Sequence, residues 1–149
     1  MSQFYCRENE LRKLNKRYEG DKFECIVIYG RRRVGKTALI NEFCKGKPTI
    51  FFSAFNTTGK ENLEALSKSI MTFERPDMES APEFRSYDAA LDELTALSKE
   101  KRMVFVIDEY PYVARSSKSF SSVLQLLIDK YKDRSKLMLI LCGSSMSYM

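Results

Sequence analysis

The sequence predicts an α/β fold of three layers, with a mainly parallel sheet covered by helices on both faces. Three observations carry this. Apolar runs without alternation occur at Cys25–Tyr29, Met103–Ile107 and Leu137–Cys142, the pattern of strands buried on both sides. Stretches with apolar residues every three or four positions lie between them, as amphipathic helices require. The first run also passes directly into a glycine-bearing loop and a helical pattern, a strand–loop–helix unit typical of parallel sheets.

Taken in order, residues 8–18 place Leu11, Leu14 and Tyr18 on one helical face, and Gly20 reads as the stop. The strand over 25–29 leads through the loop to a helix from Gly35 to about Cys44. That helix has Leu39, Ile40 and Phe43 on one face, and Gly46 and Pro48 punctuate its end. Thr49–Ser53 reads as a second strand. Leu63, Leu66, Ile70 and Phe73 mark an amphipathic helix, followed by a break from Pro76 to Pro82. A further helix between Phe84 and Lys99 carries Leu91, Leu94 and Leu97. Phe120, Val123, Leu124, Leu127, Ile128 and Tyr131 form a regular stripe, read as a core helix without chemistry. No repeat, low-complexity tract or long linker divides residues 1–149, which therefore read as one domain.

Composition narrows the function. A chain of 149 residues can bury a real core, and its 44% apolar and 30% charged content is that of a globular protein. No apolar run approaches the roughly 18 residues that span a bilayer, and the N-terminus lacks a signal-peptide core, so a cytoplasmic location is expected. The net charge of +5 raises the question of nucleic acid. Arg31, Arg32, Arg33 and Lys36 supply four of those charges, leaving about +1 for the rest of the chain. Such a cluster on a glycine loop suits nucleotide phosphates, and nucleic acid is a secondary reading of the same residues. The four cysteines, Cys6, Cys25, Cys44 and Cys142, lack metal spacing, and there is no histidine, which excludes zinc and histidine catalysis. Cys25 starts one strand and Cys142 ends another running parallel to it, too far apart to bridge.

The chemistry concentrates in three places. Gly30-Arg31-Arg32-Arg33-Val34-Gly35-Lys36-Thr37 has the spacing of a phosphate-binding loop. The two glycines let backbone amides turn toward phosphate oxygens, and a helix N-terminus adds positive potential. Lys36 would reach the β- and γ-phosphates, and the Thr37 hydroxyl would ligate Mg²⁺. The expected nucleotide-binding set is the whole loop with Ala38 and Asp108. Asp108-Glu109 ends a strand buried on both faces, where charge is costly without a partner. Asp108 would hold Mg²⁺ directly or through water, and Glu109 would orient or deprotonate an attacking water. Finally, Gly143-Ser144-Ser145 ends the last strand with hydroxyls that could bond the γ-phosphate or the water; a plain turn is the alternative.

These segments, with Phe4-Tyr5-Cys6-Arg7-Glu8-Asn9-Glu10-Leu11 at the start, resemble the archaeal-type AAA-like ATPases, a P-loop group. The resemblance covers nearly the whole chain. It implies Lys36 and Thr37 as Walker A residues, Asp108 and Glu109 as Walker B, and Ser144 or Ser145 as sensor 1. It further implies that the sensor strand lies between the phosphate-loop and Walker B strands. Members usually carry a glycine where Cys6 stands, near the nucleotide base. They also continue beyond sensor 1, so the resemblance implies a core without its last strand and without a sensor 2 segment. Arg115 reads as a solvated loop residue, with an arginine finger acting in trans as the lesser alternative.

MgATP hydrolysis is thus the leading functional expectation, with catalytic parts for Lys36, Glu109 and Ser144. A nucleotide-binding module without turnover is the competing one. A kinase is weaker because paired acids suit water activation. A GTPase is weaker still, since Asn15-Lys16-Arg17-Tyr18 fails the guanine motif at its last position. The expected partners are ATP and ADP, with self-association through an exposed sheet edge.

Overall fold

The computed structural model describes residues 8–29, 36–74, 84–99 and 101–143. In chain order they form α1 (Glu8–Glu19), β1 (Glu24–Tyr29), α2 (Lys36–Cys44), β2 (Thr49–Ser53), α3 (Gly59–Glu74), α4 (Tyr87–Ser98), β3 (Met103–Asp108), α5 (Tyr110–Ser116), α6 (Lys118–Tyr131) and β4 (Leu137–Gly143). The strands make one sheet in the order β1-β4-β3-β2, and every pairing is parallel. The last strand therefore lies between the first and the third, as the resemblance implied.

Parallel neighbours need a crossover rather than a hairpin, so each connection passes over a face of the sheet. Leu14 of α1 and Leu39, Ile40 and Phe43 of α2 pack on one face against Val104, Val106, Met138, Ile140 and Cys142. On the other face, α3 to α6 bring Leu66, Ile70, Leu91, Leu94, Phe120 and Leu124 onto Phe52, Phe105 and Leu139. Alternate residues of β3 and β4 thus feed two different cores. All seven residues of β4 are buried, which is why its sequence shows no polar alternation.

One turn and one helix depart from the sequence reading. Gly46 does take a left-handed conformation after α2, at φ +76. After α1, however, the left-handed residue is Asp21 at φ 53, not Gly20. Aspartate tolerates this region, and Lys136 holds its carboxylate at 3.3 Å. The second departure is α5, a short helix in a stretch that the periodicity left unassigned.

The amino ends of the strands are drawn together by Arg102. Its guanidinium donates to the carbonyls of Tyr18 and Arg17 at 2.9 Å each, to that of Lys136 at 2.8 Å, and to that of Lys22. It also stands 5.1 Å from the centre of the Tyr18 ring. A planar cation with five N–H groups can serve several carbonyls at once, which lysine cannot.

At the outer side of the sheet, β1 has no second neighbour among the described residues. Val27 is 41% exposed and Cys25 is exposed, so the face of β1 opposite α1 and α2 is thinly covered. A groove of about 500 Å³ runs along this edge, between β1 and the Glu10, Lys13, Leu14 and Arg17 stripe of α1. Cys25 pairs with Leu139 and Cys142 with Ile28, so these two thiols sit three rungs apart and stay free.

The helices of the larger face are joined by Tyr87, which opens α4. Its ring packs edge-on against Phe120 with centroids 4.9 Å apart, and its hydroxyl donates to the Gly59 carbonyl at 2.6 Å. Burial pushes the Tyr87 phenol from 10.0 up to about 12, against a smaller opposing effect of the Ser116 hydrogen bond. A raised phenol pKa stabilises the fold fully below the unfolded value and loses that contribution as pH climbs toward the folded one. Tyr87→Phe should therefore be less stable than wild type by about 1 kcal/mol at neutral pH, the net worth of one hydrogen bond. That gap should narrow as pH rises from about 10 to about 12. Denaturant titrations of both proteins across this range measure it; a gap independent of pH would show that the phenol keeps its ordinary pKa in the fold.

Candidate functional site

The tips of β1, β4 and β3 lie at one edge of the sheet, where Tyr29 pairs with Gly143 and Ile107 pairs with Leu141. Ligands of open parallel sheets bind at this carboxyl edge. Because β4 separates β1 from β3, the tips of those two strands stand roughly 10 Å apart, two interstrand spacings. β1 ends at Tyr29 and α2 begins at Lys36, with six residues between, so Lys36 and Thr37 open the helix at the same edge. The first turn of α2 holds no acidic residue, so the positive end of its dipole meets no carboxylate from its own first turn. Ala38 follows them and is exposed.

Asp108 and Glu109 occupy different backbone environments. Asp108 ends β3 half-buried, and its Oδ1 accepts the Glu109 N–H at 3.0 Å. Its carbonyl accepts the Ala54 N–H at 3.0 Å, which ties the tip of β3 to the tail of β2. Glu109 is left-handed, at φ 55 and ψ 44. That conformation costs a side-chain-bearing residue about 1–2 kcal/mol and is rare for glutamate. It turns the chain out of the strand and into α5. Glu109 serves as the N-cap there, its carbonyl accepting the Tyr112 N–H at 3.0 Å, and Pro111 sits in the first turn, where its missing N–H is harmless.

Proline just inside a helix start is itself a signal, and Tyr110 and Val113 are buried three residues apart. Those two cues mark α5 in the sequence, although one turn of apolar spacing is too short to stand out. Arg115 consequently lies in the last turn of a helix and not in a loop. Its guanidinium remains exposed, 5.3 Å from the centre of the Tyr112 ring, with Nε 3.4 Å from the Pro111 carbonyl.

Gly30, Arg31, Arg32, Arg33, Val34, Gly35, Ser144 and Ser145 lie outside the described residues, as do Cys6 and the side chains of Lys36 and Thr37. The backbone ends on either side of the loop and before the serines reach the carboxyl edge. Among the described residues, no helix is long and apolar enough to cross a membrane.

Over residues 4–149 the chain matches a family described as an ATPase domain predominantly from Archaea. An uncharacterized protein of Methanocaldococcus jannaschii is 31% identical over 146 residues, which is 98% of this chain and 30% of that protein. An uncharacterized ATP-binding protein of the same organism is 46% identical over 44 residues, 30% of this chain and 75% of that protein. The Walker-type ATPase of Pyrococcus abyssi has a similar structure, with a TM-score of 0.66 and 25% identity, over 93% of this chain and 45% of that one. The chain thus spans less than half the length of the first and third of these proteins. Since the family match takes in almost every residue, and the parallel sheet agrees with it, the chain belongs to the archaeal-type, AAA-like family of P-loop ATPases.

Proposed function

We propose that this chain binds MgATP at the carboxyl edge of its sheet and hydrolyses it to ADP and phosphate. One observation carries the reading: the N-terminus of α2, opening with Lys36 and Thr37, and the tip of β3, ending in Asp108 and Glu109, lie at the same edge. The loop Gly30–Gly35 and Ala38 would surround the phosphates, with Arg31, Arg32 and Arg33 adding charge and Val34 contributing backbone. Lys36 would neutralise the β- and γ-phosphates. Thr37 and Asp108 offer hard oxygen donors, a set that fits Mg²⁺, which would neutralise the phosphate charge as the bond breaks. Glu109 would hold the attacking water and take its proton, and Ser144 or Ser145 would fix the γ-phosphate from the next strand.

Lys36→Ala should weaken ATP binding by at least about ten-fold, the scale on which a charged contact is worth 1.4 kcal/mol or more, with unchanged circular dichroism. Thr37→Ala and Asp108→Asn should each cost more affinity in the presence of Mg²⁺ than in its absence. Glu109→Gln should bind MgATP normally and release far less phosphate. Equal ATP binding by wild type and Lys36→Ala would sink the reading. Binding by wild type with no phosphate release would leave a nucleotide-binding module.

Glutamate at a left-handed position is a stability cost that its catalytic part accounts for. Glu109→Asn, a residue that enters this region more readily, should raise stability by up to about 1 kcal/mol, whereas Glu109→Val should lower it. Denaturant midpoints rank the three proteins; Glu109→Asn no more stable than Glu109→Val would remove strain from the account.

The open edge of β1 would seat a second copy of the chain. An apolar strand without proline presents unpaired backbone groups and templates pairing. The 149-residue chain should therefore associate as its concentration rises. MgATP at about 100 times its dissociation constant should stabilise it by roughly 2.7 kcal/mol. Light scattering and thermal melting across a concentration series test both points, and a monomer throughout, with melting insensitive to nucleotide, would overturn them.

A further inference from the structure

The segment after β2 and the far end of α5 meet at one buried amide. Asn62, in the first turn of α3, has no exposed surface. Its Oδ1 accepts the Phe55 N–H at 2.9 Å, and its Nδ2 donates to the Phe55 carbonyl at 3.1 Å and to Ser116 Oγ at 3.1 Å. The pair of bonds to Phe55 satisfies both its backbone groups, as a strand neighbour would. Ser116 closes α5 and donates its own hydroxyl proton to the Val113 carbonyl at 3.1 Å. Packing reinforces the junction: a Cβ on Gly59 would stand 2.9 Å from the Ser116 carbonyl oxygen, so only glycine allows this approach.

Asn62 thereby grips the neighbours of Asp108 and Glu109 on both sides. Ala54, next to the clamped Phe55, donates its N–H to the Asp108 carbonyl at 3.0 Å. In the other direction, α5 has only seven residues between the Glu109 turn and the Asn62–Ser116 bond. A short helix fixed at its far end fixes the angle at its start. A buried amide is a costly way to fill space, since each of its polar groups must be bonded. Here it sets two segments relative to one another.

We propose that Asn62 is a positioning residue for the Asp108–Glu109 pair, acting through Ala54 and through α5; this rests on the ATPase reading above. The nucleotide grip at α2 is independent of it, because α2 packs with α1 on the opposite face of the sheet. Loss of the amide frees the β3 tip to shift while leaving the phosphates held. Displacing a catalytic group by about 1 Å is enough to cost turnover.

Asn62→Asp keeps size and the acceptor for the Phe55 N–H but has no N–H for the Phe55 carbonyl or Ser116. Ser116→Ala removes the α5 arm, together with the hydroxyl's bond to the Val113 carbonyl and its contact with Tyr87, and leaves both Phe55 bonds in place; Ser116→Thr keeps the hydroxyl. ATP affinity without Mg²⁺, steady-state phosphate release with Mg²⁺, and thermal melting are measured for each. Asn62→Asp should release phosphate on the order of 10–100-fold more slowly, the usual cost of losing an outer-shell partner. Ser116→Ala should fall in the same direction by less, Ser116→Thr should recover, and ATP affinity measured without Mg²⁺, which reads the α2 grip alone, should stay within about two-fold throughout. Unchanged release in both Asn62→Asp and Ser116→Ala, or Mg²⁺-free ATP affinity falling in proportion to release, would overturn the inference. No release by the wild type overturns the ATPase reading along with it, whereas unaffected variants of an active wild type overturn this inference alone.

Discussion

Strands that all run the same way can be joined only across a face of their sheet, and that constraint shapes this molecule. Each crossing needs a helix or a pair of them, so both faces become covered and the strands between lose contact with water. Buried on both sides, β3 and β4 feed two separate cores with alternate residues. The same constraint sends every strand tip to one edge and every strand start to the other. Loops at the tip edge are then free to carry chemistry, because the scaffold below does not depend on them. The start of α2 and the acid pair that ends β3, far apart in sequence, are brought to one edge by this route.

At that edge the acid pair is held more tightly than a strand end requires. Asp108 binds backbone on both sides of itself, its carboxylate accepting from Glu109 and its carbonyl from Ala54. Glu109 spends conformational energy to turn the chain into α5, and Asn62 and Ser116 catch the end of that helix. Local strain is retained only where surrounding structure overdetermines it. The hydrogen bonds on either side of Glu109 are that surrounding structure.

Much of this was legible in the sequence, for physical reasons. A strand buried on both faces has no choice but to be apolar at every position, so Val104 to Ile107 and Met138 to Cys142 announce themselves. Leu39, Ile40 and Phe43, or Leu63, Leu66 and Ile70, repeat at the helical period because one side of each helix meets the sheet. Their order in the sheet came from family resemblance, since apolar runs carry no record of which neighbour they choose. Asn62 was invisible because its partners lie 7 and 54 residues away and nothing in its neighbours marks it as buried. Glu109 gave no sign of its backbone, because a left-handed turn is advertised by glycine or asparagine and not by glutamate. For Gly30 to Gly35, by contrast, the sequence motif carries the proposed part, with Tyr29 before it and Lys36 after it at the carboxyl edge.

The Arg102 clasp at the opposite edge has a kinetic consequence. Its guanidinium joins carbonyls that lie 84, 85 and 80 residues before it, and one that lies 34 residues after it. Closing loops of that length costs chain entropy before any contact repays it, so such bonds belong to the last stage of folding. α3 to α6 with β2, β3 and β4 form through shorter separations, and their assembly presents Arg102 and the Lys136 carbonyl as a finished socket. On that ground α1 and β1 are expected to dock into the socket together and last, so the amino-terminal part of the chain, though synthesised first, is the part that waits.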